Sequence, residues 1–163
     1  MQLRTKVIVG AAIAASAIGL AIATPILNLA SPIVSTGVDE SRVHEYGVAQ
    51  TTDGWFNATL TTDGPSTITV QEAAYSATGQ NGWHSHPGLV IVTLISGMIV
   101  WYNANCEPTT YHAGDAWMEG SQEHAFKVVG TTGIQLSAVY VIAKGEAARI
   151  DKPAPACAEG LGL

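Results

Sequence analysis

Charge is scarce in this chain, and positive charge is scarcest. Asp, Glu, Lys and Arg make up 12% of the 163 residues, with 7 Lys and Arg against 13 Asp and Glu. The net charge of -6 leaves no basic footprint, so nucleic acid is not expected as a partner. An anionic membrane surface is equally disfavoured for the globular part. Cysteine is limited to Cys106 and Cys157, neither close in sequence to another cysteine or to a histidine, which argues against cysteine metal ligation. Helical periodicity is missing after the N-terminus, and Asp39 to His44 could make one turn of helix at most. There is no internal repeat or low-complexity tract. The length suits one domain with a real core and is too short for two of ordinary size.

The one long apolar run lies at the N-terminus. Arg4 and Lys6 precede Val7–Ala23, which is uncharged and rich in Ala, Ile and Val. Ala21-Ile22-Ala23 fits a small-x-small cleavage pattern, so residues 1–23 are read as an export signal cleaved after Ala23. The rival reading is an uncleaved anchor helix at the short edge of a spanning length, with Pro25 breaking any extension. Membrane contact is then expected only through this segment. Either way the domain lies outside the cytoplasm, secreted or in the cell envelope. No cysteine sits near the cleavage site, so a lipid anchor is not supported. An exported chain with two cysteines permits a Cys106–Cys157 disulfide tying down the tail Pro153-Ala154-Pro155-Ala156. Two free thiols are the alternative.

The rest of the chain is a series of short apolar or β-branched runs: 56–61, 66–75, 89–95, 98–102, 116–118, 124–129 and 134–143. Turn signals separate them, among them Asp53-Gly54, Asp63-Gly64-Pro65, Ser96-Gly97 and Ala113-Gly114-Asp115. This spacing predicts an all-β antiparallel sandwich or barrel. The expected organisation is a lead-in arm over 24–45, the barrel over 46–150 and a tail over 151–163.

Gly82-Trp83-His84-Ser85-His86-Pro87-Gly88 places two histidines two residues apart. In a continuous strand they share a face with Gly88, Val90, Val92 and Leu94, although Pro87 and Gly88 weaken that strand. Leu89, Ile91, Thr93 and Ile95 share the other face. Both faces are apolar, so cover on both sides is expected, by a second sheet or a subunit. A third histidine, His124, opens another alternation with Phe126 and Val128.

These residues resemble the cupin superfamily, whose barrels are small antiparallel jelly rolls. His84-Ser85-His86 and Gly97 match the first motif, with Val90 where the family usually has Glu. Gly114-Asp115-Ala116-Trp117 and His124 match the second, without its usual Pro-x-Gly. The resemblance spans roughly Gln71 to Ala143 and is nearest to small single-domain bacterial cupins. It implies that His84, His86 and His124 bind one divalent transition metal, with Fe, Zn, Ni or Cu as candidates. Without the Glu, harder ions such as Mn²⁺ should bind less well. The bland alternative is a metal-free pocket whose histidines are satisfied by hydrogen bonds.

Glu72, Glu119 and Glu123 are the acids nearest to the motifs. Each is read first as a solvated surface carboxylate, and otherwise as a substitute ligand or general base. Val90, Trp83, Trp101 and Phe126 are candidates to line a small-molecule pocket; such aromatics more often form core or a dimer interface. His112 and His44 are not expected as ligands. No residue stands out as a catalytic acid or base. The expected function is an exported metal-dependent enzyme of dioxygenase, isomerase or lyase type acting on a small organic molecule. The alternative is a non-catalytic ligand-binding or sensing module, and a homodimer is compatible with either.

Overall fold

A computed structural model describes residues 27–30 and 33–163 of the chain. The expected signal or anchor helix over 1–23 falls outside the described residues. Among those described, no helix is long and apolar enough to cross a membrane. The strands in chain order are β1 (Leu27–Ala30), β2 (Ile33–Asp39), β3 (His44–Thr51), β4 (Gly54–Thr61), β5 (Ser66–Gln80), β6 (His84–Ser85) and β7 (Gly88–Ser96). There follow β8 (Met98–Asn103), β9 (Pro108–His112), β10 (Ala116–Glu119), β11 (His124–Val128), β12 (Ile134–Ala143) and β13 (Ile150–Asp151). The fold is the all-β antiparallel barrel that the turn spacing and the motifs imply.

The main sheet runs β10-β7-β12-β5-β11-β6-β13. β1 and β2 lie on β5, and β8 joins β11 to β9. β5 is the longest strand, at 15 residues. Its Ser66–Tyr75 portion pairs along β12, while Gln80 reaches Lys127 on β11. One strand therefore belongs to both walls and closes them around the main core. The lead-in arm is thus only partly a connector, because 27–30 and 33–39 pair with β5. The 56–61 run lies in a separate β3–β4 hairpin off the main sheet, with Tyr46, Trp55 and Phe56 exposed.

β7 shows which face the core takes. Val90, Val92 and Leu94 are buried, while Ile91 and Ile95 are 38% and 51% exposed. The expected cover on both faces of 89–95 is not found in the single chain; the outer face stays open. Fully burying one such side chain contributes roughly 1.5–3 kcal/mol, and a one-residue slip would exchange the two sets. Ala73, Leu136, Ala138, Phe126 and Ile134 complete this core. Two glycines set its geometry. Gly97 turns β7 into β8 at φ +82°, and a Cβ at Gly88 would collide with the Val141 carbonyl on β12.

A second apolar cluster sits under the C-terminal tail. Trp83, Tyr102 and Ala125 are buried there with Ala158, and Leu161 and Leu163 pack against them. The Cys106–Cys157 disulfide closes this layer across a sequence separation of 51. Lys127 Nζ donates to the Leu161 carbonyl at 2.6 Å, and the Lys152 amide donates to the Trp83 carbonyl.

Candidate metal centre

Antiparallel register brings the histidines together. His84 on β6 lies directly opposite His124, the first residue of β11. His86 follows just after β6, where the chain bends before β7, and its amide donates to the Gly120 carbonyl at 2.9 Å. The three rings lie with centroids 4.3 to 5.2 Å apart. All three are buried, at 3%, 3% and 1% exposure.

Each ring is oriented through Nδ1 by a backbone carbonyl. His84 donates to Gly82 at 2.8 Å, His86 to Ala148 at 2.6 Å, and His124 to Gln122 at 2.8 Å. A carbonyl only accepts, so Nδ1 carries the proton and a neutral ring presents a bare Nε2 lone pair. Nε2 of His86 and of His124 are buried without a hydrogen-bond partner. Holding the far nitrogen by a carbonyl is how metal-ligating histidines are commonly fixed in tautomer and orientation.

The fourth donor is Glu119, the last residue of β10. Its Oε2 lies 3.3 Å from His86 Nε2 and 3.3 Å from His124 Nε2. Its Oε1 accepts from the Trp117 indole at 2.8 Å and the Trp101 indole at 3.0 Å. One oxygen is thus held by two indoles while the other faces the imidazoles. His84, His86, His124 and Glu119 each offer one atom, all within 4.8 Å of one another.

The surroundings hold His84 and Glu119 in their ligating forms. Burial first, then the charges of His124 and Arg149, push His84 down to about 2, so it stays neutral. Burial works to raise the Glu119 carboxyl, but the facing His124 and His86 imidazoles, the charge of His124 and the Trp117 indole hold it well below its usual range. With neutral rings, lone pairs face a carboxylate oxygen, and a cation satisfies all of them at once. Three imidazole nitrogens and one carboxylate oxygen suit a divalent transition ion.

Glu119 corrects the reading of position 90. Val90 is fully buried in the core, and its register partner across the β7–β10 pair is Glu119. The carboxylate is present, moved to the facing strand. With its side chain 6% exposed, Glu119 is not a solvated surface carboxylate. The sequence carried a signal for it. Extending the 116–118 run by one residue puts Glu119 on the face of Trp117, which is buried, and opposite to Met118, which is 69% exposed. The argument against harder ions, which rested on a missing carboxylate, falls away.

The other sequence candidates separate. Phe126 lines the cavity beside the histidines, and Val90 lies in the core behind it. Trp101 stacks on His124, with centroids 5.6 Å apart. Trp83 packs instead under the tail. Glu72 is exposed, and Glu123 pairs with Lys152 at 3.8 Å. His112 lies beside Asp115 and His44 beside Thr61, both away from the site.

No protein-family model and no curated protein matches the chain. Similar solved structures include the DMSP lyase DddQ from Ruegeria pomeroyi DSS-3, at 15% identity over 51% of this chain and 42% of that one, with a TM-score of 0.45. The polyketide cyclase RemF from Streptomyces resistomycificus matches at 14% identity over 49% and 62%, with a TM-score of 0.41. A predicted oxalate decarboxylase from Thermotoga maritima matches at 19% over 49% and 82%, with a TM-score of 0.41. The chain spans less than two thirds of the length of the lyase and the cyclase. At these identities the likeness concerns the barrel alone. The described fold is an antiparallel barrel, and the motifs carrying His84, His86 and His124 resemble those of cupins.

Proposed function

We propose that His84, His86, His124 and Glu119 hold one divalent transition metal, and that the protein is a metal-dependent cupin enzyme acting on a small organic molecule. The observation that carries this is the convergence of unpartnered, buried imidazole nitrogens on a carboxylate oxygen. The bound ion would act as a Lewis acid, with positions beyond the protein donors open to water or substrate. Fe, Zn, Ni and Cu remain the candidates, and Mn joins them. Export is part of the reading: the disulfide supports an extracytoplasmic setting, with residues 1–23 as signal or anchor. The exposed Ile91, Ile95 and Met118 support a homodimer through the β7–β10 face.

Elemental analysis of the full-length protein tests the centre. Close to one equivalent of metal is expected, either as purified or after reconstitution. His84→Ala, His124→Ala and Glu119→Gln should each lose most of it. A correctly folded wild type that takes up no metal, or variants that keep full occupancy, would refute the assignment. A binding or sensing module is the second reading. Among the described residues lining the cavity, no carboxylate other than Glu119 and no histidine outside the set is available as a general base. Metal occupancy without turnover across a substrate screen would select it.

A further inference from the structure

The cavity that opens onto the histidines has a second polar end. Its volume is about 430 Å³, within the range of small-molecule sites. Ala73, Val92, Leu136 and Ala138 give it an apolar wall. Among the described residues that line it, Arg149 is the one cationic side chain.

Arg149 is held in place. Its Nε donates to Asp151 Oδ1 at 2.5 Å and its Nη2 to the Asn81 carbonyl at 2.7 Å. These bonds use two of the five N–H donors of a guanidinium. The others have no protein partner among the described residues. Asp151 is itself 57% exposed and does not line the cavity, so its charge is offset largely by solvent. The residue before Arg149 supplies the carbonyl that orients His86. One two-residue segment therefore fixes both a ligand ring and the cation beside it. Tyr75 and Tyr140 also line the cavity, and neither hydroxyl has a hydrogen-bond partner among the described residues. Burial keeps both protonated, with Tyr140 pushed up to about 12.

We propose that this cavity takes a small organic carboxylate, its charged group on Arg149 and its body along the apolar wall toward Glu119 and the histidines. For its far end the proposal rests on the metal reading; the Arg149 end does not need the metal. A guanidinium edge and two hydroxyl donors suit a planar carboxylate. Arg149 gives its end of the cavity one formal positive charge, which a single carboxylate closes. A phosphate dianion would meet one guanidinium and no second cationic side chain.

Titration calorimetry of the full-length protein, zinc-loaded and chelated, tests this with benzoate, uncharged benzamide and inorganic phosphate. Benzoate should bind at least about tenfold tighter than benzamide, and phosphate should not compete. Arg149→Gln should weaken benzoate by about tenfold or more while keeping its zinc, and Arg149→Lys should fall between. Equal binding of benzoate and benzamide, binding of neither, or displacement by phosphate would overturn the proposal. Unchanged benzoate affinity in a folded Arg149→Gln would do so too. If that variant does not fold, the wild-type contrast between benzoate and benzamide still decides. A wild type that holds no zinc defeats the metal reading separately, and the same contrast on the chelated protein still judges Arg149.

Discussion

Trp101 and Trp117 leave the Glu119 carboxylate little freedom. Both indoles bind Oε1, so Oε2 alone is turned to the imidazoles. A carboxylate pinned this way would ligate a bound ion through one oxygen. Trp117→Phe removes one donor and keeps most of the ring that stacks on Tyr111 at 4.4 Å. Metal affinity should fall about 10- to 100-fold, the usual effect of losing a group that orients a ligand. Chelator competition measures this, and an unchanged affinity would mean that the indoles do not position Glu119. At this scale the histidines were legible because types two apart can be read directly. Glu119 was legible only as one of three alternative acids, since choosing it depends on a strand end that ran one residue longer than its apolar pattern.

Elements decide which residues meet. The β6–β11 register sets His124 against His84, and the β7–β10 register sets Glu119 against Val90. A shift of one residue in either would point a ligand out of the barrel. The strand carrying His84 also follows Trp83, which is buried under a tail clamped by Cys106–Cys157. In the chain-entropy model, a loop of this length gives a disulfide worth about 4 kcal/mol. A Cys106→Ser/Cys157→Ser double variant should lose roughly that in a urea melt, while a loss near zero would show that the apolar packing alone holds the tail. β4, β5, β7, β8, β10, β11 and β12 were largely visible from alternation and turn residues. β1, β2, β3 and β9 were not, because strands with mixed composition lack a period that propensity can catch.

On the scale of the whole molecule, burial of the site couples it to pH. His84 stays neutral in the fold down to about 2, against an ordinary value of 6.5. Below that ordinary value the unfolded chain binds a proton that the folded chain refuses, so stability falls as pH falls. Glu119, held well below 4.5, adds the same sign below its own unfolded value. The metal-free protein should therefore show a Tm that declines steadily from pH 7 toward pH 4. A flat or rising Tm over that window would show that these groups are not held as described.

By itself the sequence determined the fold class and singled out the three histidines; it only permitted the Cys106–Cys157 bond, which the structure closes. The first two follow from local pattern: period-two alternation, turn residues and histidine spacing. The tertiary structure decided which carboxylate faces the imidazoles, the open outer face of β7, the hairpin standing off the sheet and the arginine at the far end of the cavity. These depend on cross-strand register and on which surface finds a covering partner. Both are set by contacts between residues distant in the chain, and no local period encodes them.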